Sequence, residues 1–275
     1  MGWGCRRLTT IGCWPFCRLW GEYWLELAAQ VWDSLRARKH CQLNLSETMP
    51  DKLLLHHQIV LLSLNDTKGT FTGSYCTYAT AGAMISELLL QNRISADNDK
   101  KKTVTVISQD PTGDEFLDEL LKQMSESGKQ RGLQDWVTRA AGIKHLAHRI
   151  AEQLSQMGIL KQDEKKVLWV FSRQVYPELD GTVEDNIRDQ MARVMFDPKA
   201  IPDEPTAILI SLASHADLLK ANFVPEELRQ HRQRVKQLAA GEILASAATQ
   251  QAIAAVQAAV MVAVMLPAII TVTTR

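Results

Sequence analysis

Two adjacent histidines, His56-His57, stand inside the apolar stretch LLLHHQIVLLSL from Leu53 to Leu64, where an imidazole pair offers metal ligation or proton transfer. Neighbouring residues on a helix point about 100° apart, whereas zinc ligands on one helix favour positions i and i+4. The spacing therefore predicts one histidine partly buried, the other exposed, and no metal. Cys13-x-x-x-Cys17 lacks the matching second pair that a zinc site needs. The carboxylates Asp110, Asp114, Glu115, Asp118 and Glu119 offer acid–base or cation chemistry. Yet Asp110-Pro-Thr-Gly before an acidic turn is how a helix start is spelled, so capping and a solvated face are the expectation. There is no G-x-S-x-G elbow, no phosphate-cradling glycine loop and no nucleophile with its base. The residues point to no catalytic group, no cofactor and no metal, hence to a protein that is not an enzyme.

The elements that position these residues read mostly as helices, and the fold class expected is mainly α, a single-domain helical bundle with small β-hairpins. Thr48-Met-Pro-Asp51 supplies an N-cap, an early proline and an acidic residue ahead of a helix over Leu53 to Leu64. Asn65-Asp-Thr-Lys-Gly69 breaks it, and the Thr, Phe and Tyr residues that follow suit a short hairpin. From Ala79 to Leu90 the pattern is helical again, with Ala79, Gly82, Ala83 and Ser86 permitting close approach of a neighbour. TVTVIS after Lys100-Lys-Lys102 is strand-like, Asp114 to Met124 is helical, and residues 133 to 158 form two further helices ended by Gly158. VLWVFS at 167–172 reads as the best strand, followed by a turn at Tyr176-Pro-Glu-Leu-Asp-Gly181. Helices over 184–195, 204–220 and 225–239 complete the set.

Composition divides the chain into a Trp- and Cys-rich leader (1–47), a domain (48–242) and an Ala- and Val-rich helix (243–275) that is uncharged up to its last residue, Arg275. The leader holds five of the seven Trp and four of the five Cys; it lacks the continuous apolar stretch of a signal peptide and reads as disordered or wrongly assigned. Clustering of the cysteines outside the domain points to a reducing compartment. Lys plus Arg equal Asp plus Glu at 31 each, so no global field draws the chain to nucleic acid or anionic lipid. Within 48–242 there are 24 basic against 27 acidic groups, so any anion site must be local. In the last zone Gln257 and Pro267 interrupt 252–272, and Ile253, Val256, Val260 and Val264 fall at helical spacing. That pattern fits a helix buried against the domain or a second copy better than a membrane span.

Five blocks in order, QIVLLSLND, GAMISELLL, DPTGDEFLDELL, IAEQLSQMGILKQDEKKVLWVFSRQVYP and LISLASHADLL, make the sequence from Met49 to Ala240 resemble the Golgi phosphoprotein 3 family, closest in style to its short prokaryotic members. The resemblance implies a helical adaptor that is cytoplasmic and peripherally membrane-associated, on the Golgi face in a eukaryote. Its implied partners are phosphatidylinositol 4-phosphate or another anionic headgroup, client protein tails and a second copy of the chain. The family's headgroup site uses an aromatic residue in the first hairpin, an arginine at the next helix and two arginines one turn apart on a later helix. Those positions fall near Tyr75, at Ala81, and at Lys144 and Ala147, with Arg149 close by but out of register. Lipid contact is thus expected from Tyr75, Lys144 and Arg149. The turn at 175–181 matches a membrane-touching hairpin, with Arg173, Val175, Tyr176 and Leu179 at the interface.

The competing expectation is a soluble helical scaffold, or a winged-helix-like DNA-binding protein, without lipid binding. Ala147 to Val175 imitates a helix and wing, but Glu152, Asp163 and Glu164 dilute Lys144, Arg149, Lys161, Lys165 and Lys166. A DNA reader needs a concentrated basic face, so nucleic acid is not an expected partner.

Overall fold

The computed structural model describes residues 53–65, 69–71, 76–97, 101–167, 171–179, 181–243, 246 and 249–258. The leader 1–47, the Thr48 cap, Tyr75 and the end of the tail after 258 lie outside the described residues.

Two helices make the centre. The first, α1 (Leu55–Ser63), has eight of its nine residues buried, His56, His57 and Ser63 among them. A helix enclosed on nearly every side takes a central place. It begins at Leu55, and in place of a local side-chain cap the Leu55 amide donates to Glu87 Oε2 at 3.0 Å. Glu87 belongs to α2 (Cys76–Leu90), whose Ala79, Ala81, Ala83 and Ser86 are buried and let the two helices lie close.

Around this pair the chain first adds a small antiparallel sheet, β1 (Ile94–Ala96) with β2 (Val104–Val106), registered Ile94 opposite Val106. Three amphipathic helices follow: α3 (Glu115–Ser125), α4 (Leu133–Ala141) and α5 (Leu146–Gln156). Each turns an apolar stripe inward, for α3 Phe116, Leu117, Leu120, Leu121 and Met124. Burying one such side chain contributes about 1.5–3 kcal/mol, which is what holds these otherwise polar helices on the core.

The single strand expected over 167–172 is instead divided between two antiparallel strands, β3 (Asp163–Val167) and β4 (Phe171–Val175), with 168–170 outside the described residues. β3 is DEKKV, a charged segment whose strand state comes from its partner rather than its own propensity. At the hairpin's base the chain crosses Gly69, whose carbonyl accepts from the Tyr176 amide at 2.8 Å. Beyond it lie α6 (Thr182–Phe196), α7 (Glu204–His215), α8 (Leu218–Asn222), α9 (Pro225–Gln230) and α10 (Arg232–Ala239). The helices expected over 204–220 and 225–239 are each broken once. Asp217 breaks the first by taking the left-handed conformation (φ 59°), and His231 separates α9 from α10. Arg234 fastens α10 to the end of α6, donating to the carbonyls of Val194, Pro198 and Ala200 at 2.8, 3.2 and 2.6 Å.

The helical segment α11, residues 249–258, packs on the domain with Ala252, Ile253, Ala255 and Val256 buried. Ser86 Oγ donates to the Ala252 carbonyl at 3.2 Å, and Gln251 pairs with both backbone groups of Ala96. Of the residues at helical spacing, Ile253 and Val256 are buried and Val260 and Val264 lie outside the described residues; no helix among the described residues is long and apolar enough to cross a membrane.

Candidate functional site

The histidine pair departs from its expected half-exposed state: His56 and His57 are both buried, at 0% and 2% exposure. At the start of α1 their long side chains converge, with ring centroids 4.1 Å apart. They meet Asp114, also buried, which is the N-cap of α3: Oδ1 accepts from the Phe116 and Leu117 amides at 3.1 and 3.0 Å. The helix start expected from Asp110-Pro-Thr-Gly is there, but the cap is Asp114 itself, and it is buried rather than on a solvated face. Its Oδ1 lies 3.4 Å from His56 Nε2, and its Oδ2 lies 3.7 Å from His57 Nε2. Gln153 on α5 closes the group, donating from Nε2 to Asp114 Oδ2 at 3.1 Å and placing Oε1 2.8 Å from His57 Nε2.

The electrostatics of this cluster follow from its enclosure. Burial and the neighbouring His56 lower the His57 pKa to about 4, against the weaker opposing pull of Gln153 and Asp114. Burial pushes the Asp114 carboxyl up, but His56, the Leu117 amide and the Gln153 amide together draw it well below the usual carboxylate range. At neutral pH the site therefore holds a neutral His57 beside an ionised Asp114. One atom from each of His56, His57 and Asp114 lies within 4.8 Å of the others, the one such group among the described residues.

The residues expected to contact lipid are dispersed. Lys144 is exposed in the turn before α5, where His145 takes the left-handed conformation (φ 55°, ψ 30°), and Lys144 has no ion pair among the described residues. Arg149 is half-buried, bonded to Glu119 Oε2 at 3.3 Å and stacked over Phe116 at 4.9 Å, so it ties α5 to α3. Ala81 is fully buried and Ala147 partly so, which leaves neither position free to offer a cation. Of the hairpin set, Val175 and Tyr176 are buried at 1% each and face the interior, a departure from the interfacial placement expected for them. The cause is the docking of Gly69 on the hairpin base and the aromatic contacts of Tyr176 with Phe71 and His148. Leu179 is 57% exposed, and the Arg173 side chain lies outside the described residues.

Sequence reasoning missed the His56–His57–Asp114–Gln153 group because its members are scattered over 98 residues. One signal was available: two histidines in an all-apolar helix must be buried, and buried polar groups need partners.

Together these features define a mainly α-helical domain carrying two small antiparallel hairpins. The family model of Golgi phosphoprotein 3 (GPP34) matches residues 55–256, and the chain belongs to that family. A VPS74-like protein of Dictyostelium discoideum is 26% identical over 185 residues, covering 61% of this chain and 71% of that protein.

Proposed function

We propose that this chain is a peripheral membrane adaptor that reads anionic phospholipid headgroups, phosphoinositides among them, and recruits client protein tails at a cytoplasmic, Golgi-type membrane face. Family membership over 55–256 is the observation that supports this reading. Lys144 is its leading cation, Tyr75 its aromatic edge, and Arg149 a donor that Glu119 competes for. Leu179, exposed past the end of β4, is the apolar contact, and Arg173 of β4 a further cation. With Ala81 and Ala147 in place of cations, charge rather than headgroup geometry dominates, because bidentate arginine contacts are what give phosphate recognition its selectivity.

Vesicle flotation tests this. The protein is expected to float with vesicles containing phosphatidylinositol 4-phosphate, and with phosphatidylserine vesicles of equal charge to within a few fold, with binding that weakens as salt rises. Lys144→Glu should reduce binding several-fold with an unchanged melting temperature, since the side chain is exposed. Glu119→Gln, which releases Arg149, should increase it. Absence of flotation on every anionic composition at low salt would end the lipid reading.

A further inference from the structure

The buried group at the head of α1 is independent of the lipid surface and has a chemistry of its own. We propose that His56, His57 and Asp114 form a binding site for a divalent transition-metal ion of the zinc class, with the Gln153 amide oxygen as the nearest further donor.

Three observations carry this. The first is spacing. Ligand atoms on a tetrahedral ion with bonds of 2.0–2.1 Å sit roughly 3.4 Å apart. His56 Nε2 to Asp114 Oδ1 is 3.4 Å, a ligand-to-ligand separation and long for a charge-assisted hydrogen bond; His57 Nε2 stands 3.7 Å from Oδ2 and donates to Gln153 Oε1 at 2.8 Å, a bond that an ion on Nε2 would replace. The second is unmet hydrogen-bonding capacity: both ring nitrogens of His56 and Nδ1 of His57 are buried with no hydrogen-bond partner among the described residues. Leaving such atoms unmatched is costly, and a metal on Nε2 relieves His56 directly. The third is preorganisation. Asp114 is fixed by two backbone amides and Gln153, and His56 packs edge-on to Phe116 at 6.4 Å, so the donors are held before any ion arrives.

Spacing of i and i+4 is what two ligands on one helix need when both leave it from the same face. Adjacent histidines at a helix start can instead fold their rings toward a third ligand on another element. The ion would pin α1 to α3 and, through Gln153, to α5. Enclosure of all three ligands implies that the ion enters as the chain folds.

The test uses tag-free full-length protein, because a polyhistidine tag binds the same ions. Protein refolded with one equivalent of zinc and then desalted should retain close to one equivalent by elemental analysis. It should melt several degrees higher than protein refolded in chelator. Refolding with cobalt should give the intense visible absorption of a four-coordinate site. Asp114→Asn keeps an N-cap residue but removes the charge, and it should fold while losing zinc retention at least tenfold. No retained zinc and no cobalt spectrum in the unaltered chain would overturn the proposal and leave a buried histidine–carboxylate cluster only. The unaltered-chain readouts decide the matter even if the variant fails to fold.

Discussion

The Tyr176 hydroxyl donates to Gln174 Oε1 at 3.0 Å and lies 3.4 Å from His148 Nδ1. Burial, reinforced by the charge of nearby Glu152, pushes its pKa from 10 up to about 12. Because the folded value is the higher one, the unfolded chain loses this proton first. The contribution of Tyr176 is therefore intact below pH 10 and is lost as pH rises toward 12. Chemical denaturation at pH 8, 10 and 11 should show a steeper decline for the unaltered chain than for Tyr176→Phe; equal slopes would mean that the phenol is not enclosed. The same residue marks how far single positions were legible. Its place in a turn spelled Tyr-Pro-Glu-Leu-Asp-Gly suited an exposed hairpin, and only the approach of Gly69, more than a hundred positions away in the chain, encloses it. A helix start at Asp114 was readable because its signals, and the Phe116 and Leu117 amides that Asp114 caps, are local. Its two histidines were not, for the reverse reason.

At the scale of elements, local signals carried the helices and failed where pairing decides the outcome. The apolar period placed α1, α3, α4 and α5 to within a few residues. The strand read at 167–172 is split across two arms because β3, written DEKKV, has no strand signal of its own and exists through its register with β4. Elements also meet at points that a sequence marks only by a glycine. Gly69 has φ 58°, and a Cβ there would lie 2.5 Å from Pro177 N and 2.6 Å from the Tyr176 carbonyl carbon. Both obstacles are backbone and cannot rotate away. Gly69→Ala is expected to cost about 3 kcal/mol, combining left-handed strain with overpacking. Urea denaturation measures it, and a loss under about 1 kcal/mol, the left-handed strain alone, would show that the loop does not dock on the hairpin base.

For the whole molecule, the uncharged tail raises the question of whether it serves the domain or the membrane. In α11, Ile253 and Val256 are buried at 4% and 0%, and Gln251 completes the edge of β1 through Ala96. Removing two such side chains costs about 3–6 kcal/mol, and the lost hydrogen bonds about 1 kcal/mol each. That is comparable with the entire 5–15 kcal/mol margin of an ordinary domain. Ending the chain at 248 should therefore lower the melting temperature by at least about 10 °C, and a small shift would mean that α11 does not belong to the core. Ending it at 258 keeps every contact named above and should leave the melting temperature close to that of the full chain. The pair of truncations separates the two roles, since the shorter one tests the core and the longer one tests only the segment after 258. If the chain ending at 258 still floats with anionic vesicles, membrane contact resides on the folded domain, where Lys144 and Leu179 are exposed. If it folds as before and no longer floats, the anchoring function passes to the residues after 258, and the domain's part is left to client binding.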